Sequence, residues 1–424
     1  MNYTILLIGG GGREHAIAKS ITDSPRCEKL YVAPGNAGTQ SLAFNVTLDT
    51  SNFDTIAQFC ESYHVDWIVV GPEQPLVEGI YDYFVDHKVK VIGPSKVAAM
   101  LEGSKSFAKA FMKKMNIPTA GYHAFTKESL QDGVELLKNH ATPIVLKADG
   151  LAAGKGVLIL EDREEAIREF EAMLSGKFGE ASETVVVEEF LSGIEFSVFV
   201  ATDGKEYVIL PEAKDYKRIG EQDQGLNTGG MGAVSPVPFY DEAMKAKVIE
   251  QVIEPTIAGI QQEGLDYTGF IFLGLISVGG DPYVIEYNCR MGDPETEVVF
   301  PRIKSDVVSL FEAMVDNTLA QYSLETKPET AVTVFSVSGG YPGAYEKGKK
   351  MDIPNDNDEC YYYHAGTKAV DNTVVTNGGR VIAATALAST LESAMKLAQA
   401  GAKALSFEGQ YYRTDIGKDL LPYL

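Results

Sequence analysis

Cysteine is scarce in this sequence: Cys27, Cys60, Cys289 and Cys360 are the only ones in 424 residues. They are scattered without metal-like spacing, which points to reduced thiols in a cytoplasmic protein. Basic residues are also outnumbered. Against 59 Asp and Glu stand 37 Lys and Arg, a net charge of −22. A phosphate backbone calls for basic surface, so this balance argues against a nucleic-acid partner. No apolar run is long enough to cross a bilayer, and a strand stands where a signal peptide would begin, so no membrane is expected. What is present is ordinary for a globular chain, 45% hydrophobic and 23% charged, with length for about three domains.

The first hundred residues alternate strand and helix: Thr4–Ile8, a helix to about Ile21, Lys29–Ala33, a helix near 53–63, Trp67–Val70, a helix near 78–87, and Val89–Ile92. That alternation predicts an open parallel sheet with helices on both faces. Between the first strand and helix runs Gly9–Gly10–Gly11–Gly12–Arg13–Glu14–His15. It fails as a dinucleotide fingerprint, because Glu14 stands where the third glycine belongs and no acidic residue ends the next strand. An anion site at the helix N-terminus, for a monophosphate, is the preferred reading; a plain tight turn is the competing one. Three later strands end in Pro34–Gly38, Gly71–Leu76 and Gly93–Ser95. Such loops gather at the carboxyl edge of a parallel sheet, where small molecules bind.

In the middle of the chain, Ser104 caps a helix through Met115, and Pro118 marks a boundary. A strand ending at Lys147 and another starting at Val157 flank Ala148–Asp149–Gly150–Leu151–Ala152–Ala153–Gly154–Lys155–Gly156. This is not a Walker A loop: the glycine spacing is short, Gly follows Lys155, and a strand follows where a helix is required. A hairpin flap able to close over a triphosphate fits better. Next, Thr184–Leu191 reads as a strand entering a short connector, with Glu195 close enough to accept from ribose hydroxyls. An ordinary antiparallel pair satisfies the same residues. The segment holding Asp215–Arg218 and Gly225–Ala233 is too long and glycine-rich for a plain connection.

The richest stretch is Val284–Glu297. Strand alternation puts Glu286, Asn288 and Arg290 on one side, with Tyr287 and Cys289 on the other. The two oxygen donors suit Mg²⁺, and the guanidinium suits a carboxylate or phosphate. Asp293–Pro294–Glu295 reads as a helix start with Asp293 as cap. An edge strand followed by a capped helix accounts for the same pattern. Farther on, Leu324–Thr330 is a linker, Ala331–Ser338 a strand, and Thr373–Thr376 with Arg380–Leu387 a hairpin around Asn377–Gly378–Gly379, followed by a helix from Leu391.

Taken together, these motifs resemble the ATP-grasp superfamily and, within it, the phosphoribosylamine–glycine ligases. The resemblance runs through Gly11–His15, Pro34–Thr39, Gly71–Glu73, Leu101–Lys105, Lys147–Val157, Asn227–Ala233 and Arg290–Thr296. Two positions depart from pattern: Gly10 beside the glycine turn, and Leu275, where many ATP-grasp enzymes carry a further carboxylate. The implied fold is mixed α/β and α+β: an N-terminal open parallel α/β domain (1–103), a central ATP-grasp domain (104–326, flap about 120–192), and a small C-terminal α+β domain (327–424). The implied reaction joins glycine to 5-phosphoribosylamine with ATP, through a glycyl phosphate, with Mg²⁺ or Mn²⁺ on Glu286 and Asn288. Arg290, Lys147 and Asp215 are the implied catalytic residues. Lys105, Lys147, Gly150, Gly154, Lys155, Gly156, Glu188, Glu189, Phe190, Leu191, Glu195, Lys217 and Asn227 would hold the nucleotide. Gly10, Gly11, Gly12, Arg13, Gly35, Asn36, Glu73, Arg290, Gly292, Asp293, Pro294 and Glu295 would hold the other substrates. His15 and His364 are expected to be structural or orienting, and the protein a monomer or weak dimer. The competing functions are another ATP-grasp carboxylate–amine ligase and a silent nucleotide binder.

Overall fold

The computed structural model describes residues 2–152, 156–357 and 359–424; the expected nucleotide contacts at Gly154 and Lys155 lie outside them. Strands Phe44–Asn45, Cys27–Pro34, Tyr3–Gly9, Trp67–Val70 and Lys90–Pro94 run parallel in that spatial order. Ile5, Leu6, Leu7 and Ile8 are all buried, as a strand covered on both faces by helices requires. The helix expected near 78–87 is instead two, Glu73–Glu78 and Ile80–Phe84. Gly79, at φ +96°, ends the first and starts the second, and Glu73 thereby opens a helix.

The sheet continues past the first domain. Tyr267 and Thr268 pair with Pro94 and Gly93, so strand Tyr267–Val278 extends it, followed by Ile194–Thr202 and Tyr207–Ile209. Strand Asp281–Asn288 pairs with the far half of Tyr267–Val278. The Gly93–Ser95 segment, expected to join the ligand edge, is therefore sheet: the Ser95 N–H also donates to Asp266 O at 2.9 Å. Its backbone groups are satisfied by a strand more than 170 residues away in sequence.

A second, antiparallel sheet forms the flap, in the order Tyr122–Thr126, Thr184–Glu189, Ile144–Ala148, Val157–Leu160. Helices Leu130–Asn139 and Arg163–Ala172 close over a core of its own that includes Phe125, Leu146, Phe170 and Val185. The expected hairpin is present, with Lys147 opposite Val157. A third sheet takes Lys214–Asp215 and Gly232–Ser235 from the middle of the chain and adds Thr330–Val337, Arg380–Ala388 and Tyr361–His364, with helix Leu391–Ala404 packed on it.

The C-terminal hairpin is not the expected one. Thr373–Thr376 pairs back with Thr367–Val370 through Asp371 and Asn372, both at positive φ, while Arg380–Ala388 lies between Thr330–Val337 and Tyr361–His364. Asp and Asn tolerate the left-handed pair of conformations that a two-residue hairpin loop needs. The longer apolar strand is worth more in the middle of the sheet, where Val381–Ala386 are all buried.

Candidate active site

Strand Asp281–Asn288 carries the acidic end of the site. Its register against Tyr267–Val278 slips between Leu275, opposite Val284, and Gly274, opposite Glu286, which leaves Ile285 as an extra residue. The alternation expected from the sequence thus holds only beyond this bulge. Tyr287 points into the core, its hydroxyl 2.8 Å from Thr256 Oγ1. Glu286 and Asn288 share the opposite side. Asn288 is buried, and its Nδ2 has no partner among the described residues. The metal-binding atoms of this pair would be the Glu286 carboxylate and the Asn288 Oδ1, oxygen ligands of the kind a hard divalent cation takes while completing its shell with water and phosphate oxygens. Leu275, where a further carboxylate was sought, is fully buried in the core.

Lysines approach from the flap side. Lys147 is buried, with Nζ 2.9 Å from Glu188 Oε2 and donating to Ile285 O at 3.2 Å. Lys105 opens helix Lys105–Lys114 behind the Ser104 cap, and its Nζ donates to Gly150 O at 3.4 Å; burial lowers its pKa. Asp149 ties the flap hairpin to the same helix start, accepting from Ser104 Oγ at 2.8 Å and from the Ser106 N–H at 2.6 Å. Gly150 N–H donates to Ala181 O, and Gly156 O accepts from Ala148.

Glu195, on strand Ile194–Thr202 of the first sheet, and Asp215 and Lys217, at the end of strand Lys214–Asp215 of the third sheet and just beyond it, line one cavity with Ile285 and Glu286. Lys217 Nζ is 2.6 Å from Glu195 Oε2 and 3.9 Å from Asp215 Oδ1. Solvent reaches 45% of the Lys217 side chain. Desolvation opposes its charge, yet Asp215, Glu195 and Glu286 outweigh it and hold its pKa well above that of an ordinary lysine. Burial, with Glu195 adding to it, raises the pKa of Asp215 despite Lys217.

The structure does not gather every expected nucleotide residue. The Glu189 carboxylate accepts from the Gly121 N–H at 3.2 Å, Phe190 is exposed beyond the strand with Leu191 half-buried after it, and Asn227 is exposed on a ribbon paired with Arg218.

Arg290 joins the site to the first domain: Nη2 is 2.8 Å from Glu102 Oε1 and Nε 3.4 Å from Glu73 Oε2. Glu102 also accepts the Cys289 N–H at 2.7 Å. The N-terminus of helix Gly12–Thr22 meets carboxylates already. Glu14 takes the Gly11 N–H at 2.5 Å, and a Cβ on Gly12 would collide with Glu297 Oε1. Arg13 is buried against Glu14 and donates to Met291 O at 3.2 Å. Gly35, at φ +70°, presses its carbonyl against Gly10. The Asn36 side chain spends its groups internally, Nδ2 on Gly10 O and His364 O, and Oδ1 on the Gly38 and Thr39 N–H groups.

Asp293 is not a helix cap. The helix is the short Thr296–Val299, because Arg380 claims Asp293: Nη2 stands 2.8 Å from Oδ1, and Nη1 donates to the Asp293 carbonyl at 2.9 Å. Pro294 packs on Gly230 and Glu295 against Gly292. Burial and Asp215 push the Glu295 carboxyl up to about 8. Sequence reasoning missed Lys109, Glu102 and Arg380. A signal existed for the first, since Lys105 and Lys109 stand four apart on one helix face.

This three-part cleft can be set beside known proteins. Residues 3–102 match the phosphoribosylglycinamide synthetase N domain, 103–296 its ATP-grasp (A) domain, and 331–419 its C domain. The chain belongs to the phosphoribosylglycinamide synthetase family. Phosphoribosylamine–glycine ligase of Pasteurella multocida is 44% identical over 418 residues, covering 97% of each chain. A bifunctional purine biosynthetic protein of Pichia angusta is 44% identical over 97% of this chain, which spans only 53% of that longer relative. Among solved structures, the phosphoribosylamine–glycine ligase of Thermotoga maritima superposes with a TM-score of 0.83 at 37% identity, covering 97% of this synthetase-family chain and 100% of that one. The biotin carboxylase domain of a Hydrogenobacter thermophilus 2-oxoglutarate carboxylase shares the fold, at TM-score 0.73 and 15% identity, over 98% of this chain and 92% of that one.

Proposed function

We infer that this chain is a phosphoribosylamine–glycine ligase of purine biosynthesis: it joins glycine to 5-phosphoribosylamine, converting ATP to ADP and phosphate. The observation that carries the chemistry is that Glu195, Asp215, Lys217, Ile285 and Glu286 line one cavity. The family membership and the named relatives support the substrates. The Hydrogenobacter homologue of the fold, crystallised with magnesium ADP, supports a nucleotide with a divalent cation.

A glycine carboxylate attacking a γ-phosphate brings two anions together, so the site must supply positive charge in place. Lys105 and Lys147 would supply it from the flap side, and Lys217 from just beyond strand Lys214–Asp215. Glu286 and Asn288 would hold Mg²⁺ or Mn²⁺, which when bound offsets charge on the transferring phosphoryl group. Glu195 would accept from the ribose hydroxyls of the nucleotide, and the chain after Glu188 would run past the base.

Arg290, steadied by Glu102 and Glu73, presents its fork to the glycine carboxylate. The glycyl phosphate so formed is open to hydrolysis, and the hairpin on either side of Lys147 shields it. The amine of phosphoribosylamine then attacks the acyl carbon and phosphate leaves. Burial raises the Asp215 carboxyl above the usual carboxylate range and pushes that of Glu295 up to about 8, so either would take the amine proton more readily than an ordinary carboxylate. Gly10–Arg13, Gly35, Glu73 and Gly292–Glu295 would border the ribose, while Asn36 shapes that loop from within. The test is phosphate release from ATP. It should require both glycine and phosphoribosylamine; release that ignores either substrate overturns the reading.

A further inference from the structure

Three charged side chains meet at the base of the flap, and one of them has no place in the chemistry above. Lys109, one turn beyond Lys105, is 1% exposed. Its ammonium donates to Thr119 Oγ1 at 2.8 Å and to Ala120 O at 3.3 Å, and lies 3.1 Å from Glu188 Oε2. An ammonium has three protons to give, and these three acceptors use all of them. The same Glu188 oxygen is 2.9 Å from Lys147 Nζ, while Glu188 Oε1 is buried with no partner among the described residues. Two lysines thus share one carboxylate oxygen, although a single cation would neutralise it.

The surplus makes sense once a nucleotide arrives, a step that rests on the function proposed above. Lys147 reaches between Glu188 and the backbone of the strand bearing Glu286, and whatever it gives to phosphate oxygens it withdraws from Glu188. A buried carboxylate stripped of its cation is strongly destabilised. Lys109 is built to stay. It stands on helix Lys105–Lys114 rather than on a flap strand, and it is anchored by Thr119, whose hydroxyl donates onward to Val284 O at 2.7 Å. Val284 N–H in turn donates to Pro118 O at 2.8 Å.

We propose that Lys109 is a positioning residue, a resident counter-cation that keeps Glu188 paired and so frees Lys147 to engage the phosphates of the nucleotide. Without it, Lys147 becomes the sole partner of a buried charge, and nucleotide binding must break that pair.

The experiment is calorimetric titration of the full-length protein with magnesium ADP, on variants whose folding is checked by thermal melting. Lys109→Met should weaken binding by about tenfold or more, and Lys109→Arg, which keeps the charge, by less than about threefold. In a Glu188→Gln background no carboxylate needs a counter-cation, and there Lys109→Met should cost less than about twofold. Wild-type affinity in Lys109→Met overturns the proposal. So does an equal loss in both backgrounds, the result expected of mere packing, or an arginine variant as weak as the methionine one. Should Lys109→Met fail to fold, the arginine variant and the comparison within Glu188→Gln still decide. If the wild type shows no glycine-dependent phosphate release while this pattern of affinities holds, the ligase reading falls and the counter-cation stands.

Discussion

Glu286 stands opposite Gly274 across the strand pair, and a Cβ on that glycine would come within 3.2 Å of the Glu286 Cγ. The glycine keeps room for a carboxylate at a position where the neighbouring register supplies Leu275. Glu286→Ala should lower kcat by about 10²-fold or more, because it would remove one of the two oxygen ligands proposed for the divalent cation. Its melting temperature should stay near that of wild type, and unchanged turnover would contradict the assignment. His15 is a residue-scale case of a different kind. Burial, with His364 and Lys19 adding to it, draws its pKa down to about 3, and its Nδ1 accepts the His364 N–H at 2.7 Å, which only an unprotonated nitrogen can do. The folded pKa lies below the ordinary 6.5, so the stability this residue contributes is complete above pH 6.5. It is lost as pH falls toward 3, by up to about 1.4 kcal/mol per pH unit. Chemical denaturation between pH 6.5 and 4 should therefore show a shallower fall in His15→Asn than in wild type; identical slopes would refute it.

At the scale of elements, the segment carrying Asp215 and Lys217 is held by the far end of the chain. Arg413, 1% exposed, grips Asp415 through Nε at 2.7 Å and Nη2 at 2.8 Å, and through Nη1 reaches Asp223 at 2.7 Å and Arg218 O at 3.0 Å. Its guanidinium lies over the ring of Tyr216, between the two site residues, and Lys214 Nζ lies 3.8 Å from the centre of that ring. The Tyr216 hydroxyl accepts the Gly417 N–H at 3.0 Å. Arg413→Met removes a two-pronged grip and leaves Asp415 without its cation, at a cost of roughly 3 kcal/mol measured by urea unfolding. The KM for ATP should rise as Lys217 loses its support. Arg413→Lys should recover little, since a lysine cannot reproduce the fork. A variant with wild-type stability and KM would show that the tail does not hold this segment.

At the scale of the whole molecule, the three parts are stitched by a few long-range contacts. The first sheet runs unbroken from Phe44–Asn45 to Tyr207–Ile209, so the parallel domain and the strands bearing the site form one body. The C-terminal sheet contributes Arg380 to Asp293 and to Gly229 O at 2.6 Å, and the His364 carbonyl to Asn36. Arg380→Met should therefore raise the KM for phosphoribosylamine by about tenfold or more while leaving that for ATP within about twofold, as separate steady-state titrations would show. Equal changes in both constants would mean that the arginine only stabilises the fold. The cleft is thus closed on one side by a sheet whose strand Lys214–Asp215 also brings Asp215 to the cavity.

What the sequence determined by itself is local. The strand, glycine turn and helix at the start, the Ser104 cap, the hairpin around Lys147 and the pairing of Glu286 with Asn288 on one side all follow from propensities and spacings within a few residues. Tertiary structure alone decided the rest. Nothing near Gly93–Ser95 says that it will pair with Tyr267, and nothing near Arg380 says that its strand will leave the adjacent turn for the centre of another sheet. Likewise, that Lys109, Lys147 and Glu188 share one buried point depends on three elements packing together. Such contacts are chosen by which arrangement buries the most apolar surface and leaves the fewest charges and backbone groups unpaired, a comparison made over the whole chain at once.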